Sequence, residues 1–243
     1  MEIHKPRAAH SWREFLIEIG TIVCGILIAL ALEQGLEALH EAHVTDQSRR
    51  DVTAEAAVNL SLMNVRTEEA SCIARRLGEI DDVLTRAGEH NRWSKTIWVG
   101  RPSDSPLFVE RWRSVTSSGR TSLFPPNEQK ALDNLFAIFG EFRLAELREQ
   151  AAWTKLKLLE RWNQPFDPAT RVQLFEAVEE ARHEDFEIRR SAYYAIELVQ
   201  RLKINADPSY GAVTGAPHSI CIPIDTPLGK ALAQQKDRVP DPD

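Results

Sequence analysis

The sequence predicts a mainly α protein: an N-terminal transmembrane helix continuing into a long stalk helix, then an antiparallel helical bundle and an irregular C-terminal tail. Three observations predict it. Ile19 to Leu32 is an unbroken apolar run, neither Pro nor Gly interrupts Leu36 to Leu77, and the later segments carry apolar residues at spacings of three and four between turn-rich loops. The expected divisions are a cytoplasmic tail over 1–13, a transmembrane helix over 14–36, an exported bundle that includes the stalk over 37–207, and the irregular tail over 208–243.

The first element lies in "EFLIEIGTIVCGILIALALEQGLEALHEAH", Glu14 to His43. The unbroken run alone is fourteen residues, a length shared by core helices and signal peptides. With Phe15, Leu16 and Ile17 it extends to twenty residues, Phe15 to Gln34, enough to cross about 30 Å at about 1.5 Å per residue. Eleven Leu, Ile, Val or Phe residues between Phe15 and Leu32 favour insertion by about 3 to 7 kcal/mol in sum, against about 3 kcal/mol or less for Glu18 near one end. A soluble core helix would show a polar face, yet Ile22 to Leu30 is apolar all round. A cleaved signal peptide is the competing reading, because Lys5, Arg7 and Arg13 precede the run and Ala29-Leu30-Ala31 resembles a cleavage site. Against it, Glu33 to Leu39 carries helix-forming sequence through the supposed cut, broken only by Gly35. Basic residues ahead of the span and acidic ones just after it, with Arg49 and Arg50 the first cations beyond, predict a cytoplasmic amino terminus. In a Gram-negative bacterium this makes an inner-membrane protein whose carboxyl terminus is periplasmic.

"HKPRAAHSWREFLIEIGTIVCGILIALALEQ" resembles the amino terminus of uncharacterised bacterial membrane proteins that have one N-terminal span and a helical exported region. The resemblance covers about the first forty residues. It implies the topology, and it supplies no catalytic residues, cofactor or ligand.

The stalk follows from Val52, Ala56, Leu60, Met63, Thr67, Ala70, Ile73, Leu77, Ile80 and Leu84, one stripe expected to run to about Ala87, with Arg66 among the charges assigned to the rest of the wheel. "AGEHNRWSKTIWVGRPSDSP" then breaks the helix. A short helix is expected over Leu107 to Ser117, and a longer one opens at Pro125-Pro126 with Leu132, Leu135, Phe136, Phe139 and Phe142 on its apolar face. Asp167 and Pro168 are the N-cap and first position of the last long helix, whose expected apolar residues are Val172, Phe175, Phe186, Tyr193, Ile196 and Leu202. A short strand is expected at Ser219 to Ile224.

At 243 residues, 43% hydrophobic and 27% charged, the chain has ordinary globular composition. A net charge of -6 without any basic stripe gives no footprint for nucleic acid, and none is expected as a partner. The expected partners are the lipid bilayer and a second copy through the membrane helix, where Thr21, Gly25 and Ala29 form a small-residue stripe; any partner protein is unidentified. Glu37/His40 and Glu180/His183 have the Glu-x-x-His spacing of di-iron bundles, and His40 and His43 share a helical face. Neither set has the further ligands a metal demands, so no metal or cofactor is expected. No nucleophile elbow, phosphate loop, dinucleotide fingerprint or Cys-x-x-Cys pair occurs, and the reading is of a non-enzymatic protein that binds, assembles or scaffolds. The alternative is a periplasmic small-molecule sensor that signals through a membrane partner. Trp93 and Trp98, among Arg92, Lys95 and Arg101, form the candidate ligand loop. Cys24 falls in the span, whereas Cys72 and Cys221 are both expected in the exported domain, where an oxidising compartment makes them a candidate disulfide pair.

Overall fold

The computed structural model describes residues 12–90, 97–161, 167–211 and 219–234. Two compact units divide between Arg49 and Arg50. Helix α1, Trp12–Glu68, begins in the first and ends in the second. The second unit holds α2 (Ala70–His90), α3 (Glu110–Ser117), α4 (Pro126–Leu156), α5 (Pro168–Leu202), the four-residue α6 (Pro208–Gly211) and α7 (Pro227–Gln234). Short 3-10 turns occupy Arg120–Leu123, Lys157–Glu160 and Ser219–Cys221. The described residues contain no strand, so the strand expected at Ser219 to Ile224 is replaced by a 3-10 turn. The stalk expected to run to about Ala87 is present as one helical stretch, Trp12–Ala87, in which Glu69 alone is a turn residue between α1 and α2 and its carbonyl still accepts from the Ile73 N–H at 2.9 Å.

In the first unit, Ile26, Leu27 and Ile28 are three successive residues pointing about 100° apart around the helix, and each is more than half exposed. Phe15, Ile19, Ile22, Val23, Leu30 and Leu32 are exposed as well. The helix is long and apolar enough to cross a membrane, and none of its most apolar stretch is buried by protein.

The second unit buries its apolar residues in two clusters. One joins Val52, Ala56, Leu60 and Met63 of α1 to Trp112 of α3, the first half of α4 and the second half of α5. The other joins Ile73, Leu77, Ile80 and Leu84 of α2 to the second half of α4, the first half of α5 and Ile220. The opposite pairing of halves makes α4 and α5 antiparallel. Pro125 and Pro126 open α4, and Asp167 caps α5 by accepting from the Thr170 backbone N–H at 3.0 Å, since helix starts leave such donors unpaired. Alpha5 ends on Lys203 in the left-handed conformation, φ 57°, which lets the Ile204 N–H reach back to the Val199 carbonyl at 2.9 Å.

The expected apolar face of α5 is corrected in part: Phe175 and Leu202 are half-buried against the two clusters, as expected. Val172, Phe186, Tyr193 and Ile196 are exposed, whereas Leu174, Ala177, Val178, Ala181, Ile188, Ala192, Ala195 and Val199 are buried. The four alanines allow the α4 and α5 backbones to approach closely, and the bulky side chains point away from that seam.

Candidate functional site

Between the two apolar clusters lies a layer of buried charge. Arg66 of α1 is wholly inaccessible, and its Nη2 donates to Glu149 Oε1 at 2.7 Å and Oε2 at 2.8 Å on α4, and to Asp185 Oδ1 at 3.3 Å on α5. Arg189 Nε reaches Asp185 Oδ2 at 2.9 Å, and Arg148 Nε reaches Glu184 Oε1 at 2.8 Å; both arginines are about half exposed. The layer ties α1, α4 and α5 together by charge-assisted hydrogen bonds.

Register explains why these groups are inside. On α4 the buried series Phe139, Phe142, Ala145, Glu146, Glu149, Ala152, Trp153, Leu156 keeps the three-and-four spacing of the core stripe straight through two glutamates. Glu184 and Asp185 likewise sit between Ala181 and Ile188 on the core side of α5. Arg66, expected on the polar side of the stalk, is instead turned inward. Carboxylates at core positions on two helices were the available signal that a buried cation had to meet them.

Among the described residues Glu146 is the one of these acids without an ion pair. It is 4% exposed, and its Oε1, like Glu184 Oε2, has no hydrogen-bond partner there. Burial, reinforced by the Asp104 carboxylate, pushes its pKa up to about 8 against the pull of Arg66. Glu149 is also raised by burial, and Arg66 opposes that rise. Burial alone would lower Arg66, but Glu149 and Asp185 outweigh it and hold the guanidinium firmly charged. Glu146 and Glu149 form part of the lining of a cleft of about 100 Å³, with Arg101, Ser103, Trp153 and Lys157. Trp153 Nε1 is close enough to Glu149 to favour its charged form but makes no well-formed hydrogen bond. Across the layer, Glu69 accepts from Ser103 N at 2.8 Å and Ser103 Oγ at 2.6 Å, which fixes that wall of the cleft.

A second polar centre holds the carboxyl-terminal segment. Cys72 and Cys221 are joined as a disulfide, with Cα atoms 4.7 Å apart. Beside it Arg75 Nη2 donates to the Cys221 carbonyl at 2.6 Å, and the buried Arg76 reaches the carbonyls of Trp98, Val99 and Ile222. Glu79 accepts from Arg76 Nε at 3.0 Å, and Glu160 Oε1 accepts from the Val99 and Gly100 backbone N–H groups. Gly100 adopts φ 68°, and a Cβ there would lie 3.3 Å from both Arg76 Nη1 and Trp98 Nε1.

The expected site residues therefore separate. Trp93 lies outside the described residues, as does Trp162. Trp98 belongs to the Arg76 centre and does not line the cleft, whereas its loop neighbour Arg101 does. Thr21, Gly25 and Ala29 are exposed on α1; Thr21 Oγ1 donates to the Ile17 carbonyl at 2.9 Å, and nothing in the described chain lies within 4 Å of a Cβ placed on Gly25. Cys24 is a free, exposed thiol. Glu37, His40 and His43 are exposed on α1, His183 is exposed, and Glu180 pairs with Lys155 at 2.6 Å. Among the described residues no three His, Cys, Asp or Glu side chains are grouped to hold a metal ion. Comparison of the chain with family models, curated proteins and solved structures finds no match.

Proposed function

We propose that this chain is a single-pass protein of the bacterial inner membrane, with its amino terminus in the cytoplasm and a periplasmic helical domain that acts by binding, assembly or scaffolding. The observation that carries the reading is the start of α1, where apolar side chains are exposed on every side of the helix. Water penalises such a surface by roughly 25 cal/mol per Å², and a hydrocarbon environment removes the penalty. The charge bias across the span and the Cys72–Cys221 bond, suited to an oxidising compartment, support the same orientation. A binding or scaffolding role is favoured over catalysis because Arg66, Glu149 and Asp185 are committed to one another in the layer. Thr21, Gly25 and Ala29 are the proposed contact between two copies in the bilayer.

A sensing role is the second reading, favoured by the cleft against Glu146. Two reporters fused after Asp243 test the topology: one that works only after export should be active, and one that works only in the cytoplasm should be silent. The reverse pattern would place the domain inside the cell.

A further inference from the structure

Helix α4 carries two apolar stripes, although a helix packed on one side needs only one. The first is the buried series that meets α1, α2 and α5. The second lies on the far side of the helix: Gly140, Leu144, Leu147, Ala151, Thr154 and Leu158, at alternating steps of three and four, with Leu158 in the 3-10 turn that follows. All are exposed except the half-buried Gly140, and Leu144 and Leu147 are 56% and 53% accessible. The series contains no charged residue. Thr154 Oγ1 donates to the Gln150 carbonyl at 2.8 Å, so its hydroxyl hydrogen is used within the helix. A Cβ added to Gly140 would meet nothing within 4 Å, which leaves the backbone there open to a close neighbour. At the amino-terminal end of the stripe, a groove of about 350 Å³ lined by Ala137, Ile138 and Tyr194 carries the apolar surface onto α5.

An uncharged stripe at threes and fours is the seam of a coiled coil, in which each side chain fits between those of a facing helix. We propose that this face of α4 joins two copies of the helical domain as a parallel pair of α4 helices about a two-fold axis.

Three features select a second copy as the occupant. Across a parallel two-fold each seam residue meets its own counterpart, so a charged seam would repel itself, and this one carries no charge. The exposed parts of the stripe and of Tyr194 offer on the order of 500 Å² per copy, so two such faces reach the roughly 1,000 Å² that a specific interface needs. The flanking Arg148 and Lys155 are each paired with an acid of α5, Glu184 at 2.8 Å and Glu180 at 2.6 Å, so Arg143 would face the Arg148–Glu184 pair of the second copy instead of a bare cation. The parallel direction rests on the proposed topology, because copies anchored through α1 in one bilayer stand the same way up. The surface itself does not, and it is separate from the Thr21, Gly25 and Ala29 stripe of the span.

Oxidative crosslinking of single added cysteines tests the contact in membranes carrying full-length Cys24→Ser protein, with the Cys72–Cys221 bond left in place. Leu144→Cys and Ala151→Cys should each give a disulfide-linked dimer, because a parallel seam brings each position to itself. Thr116→Cys, exposed on α3, should give none. In detergent, Leu144→Lys with Leu147→Lys should raise the dissociation constant of the dimer at least about tenfold. Sedimentation reads this in the Gly25→Ile, Ala29→Ile background, so that contact through the span does not mask the loss. Both leucines are more than half exposed, so helix content should be retained. Crosslinking at 144 and 151 no stronger than at 116, absence of a dimer in that background, or a dimer that the lysine pair leaves intact would overturn the proposal. Crosslinking of these positions to a different protein would overturn it as well. None of these results depends on the reporter fusions, which read topology and not association.

Discussion

The two ends of α1 have opposite fates although they belong to one helix. From Phe15 to Leu32 apolar side chains face every direction and are exposed; from Val52 to Met63 they recur at threes and fours, face one way and are buried at 7% exposure or less. Apolar content alone does not separate these segments. Angular distribution does: a one-sided stripe is satisfied by α4 and α5, whereas an all-round surface is satisfied only by a surrounding apolar medium.

The largest effect should come from placing charge in each end. Ile26→Lys with Leu30→Lys disfavours insertion by about 6 to 8 kcal/mol in sum, and the protein should leave the membrane pellet on alkaline extraction. Ala56→Lys puts an unpaired charge in the core and should make the domain protease-sensitive, with membrane retention unchanged. If either substitution produced the other's phenotype, the contrast between the two ends would fail.

Next in size is the removal of the buried cation. Arg66→Met leaves Glu149 without its ion pair and Asp185 with only the outer one from Arg189, and should destabilise the domain by about 3–5 kcal/mol in chemical denaturation. Adding Glu149→Leu to it should recover part of the loss, because the uncompensated acid is the main cost. Cys72→Ser opens a loop whose ends are 149 residues apart, with a loss of at most about 5 kcal/mol in the chain-entropy model, typically less. Thiol labelling of denatured, unreduced protein should tag Cys24 alone, and labelling of all three cysteines would rule the bond out.

Glu146 gives an effect of comparable ceiling that depends on pH. Its folded pKa of about 8 lies above its ordinary 4.5, so the folded state binds the proton more tightly than the unfolded state. Stability should therefore be greatest below about pH 4.5 as far as this group alone is concerned, and fall as pH rises toward 8, by at most about 5 kcal/mol. Glu146→Gln should flatten that slope, read as midpoint shifts in urea between pH 5 and about 8.5. An unchanged slope would mean that Glu146 is ionised throughout. The smallest effect is expected for Gly25→Ile with Ala29→Ile, which should weaken self-association in a membrane two-hybrid assay without altering insertion.

How far the sequence was legible follows the same distinction. The buried stripe from Val52 to Leu84 and the α4 face from Leu132 to Phe142 could be read because large apolar residues marked them. On α5 size misled: Phe186 and Tyr193 face outward while alanines fill the seam with α4, and no local pattern tells a packed alanine from an exposed one. The charged layer was missed for a related reason. Arg66, Glu146 and Asp185 look like solvated residues when each helix is read alone, and they become core only when three helices bring them together. The Arg76 centre joins residues from 76 to 222, a pairing with no sequence signature beyond the cysteines that flank it.

The central claim, that Phe15 to Leu32 crosses a membrane and separates the amino terminus from the domain, is tested most directly by adding an impermeant protease to intact spheroplasts carrying protein tagged at both ends. The account predicts loss of the carboxyl-terminal tag before lysis, with a short fragment bearing the amino-terminal tag protected in the membrane. Protection of both tags until lysis, or a soluble domain whose mature amino terminus lies near Leu32, would contradict it.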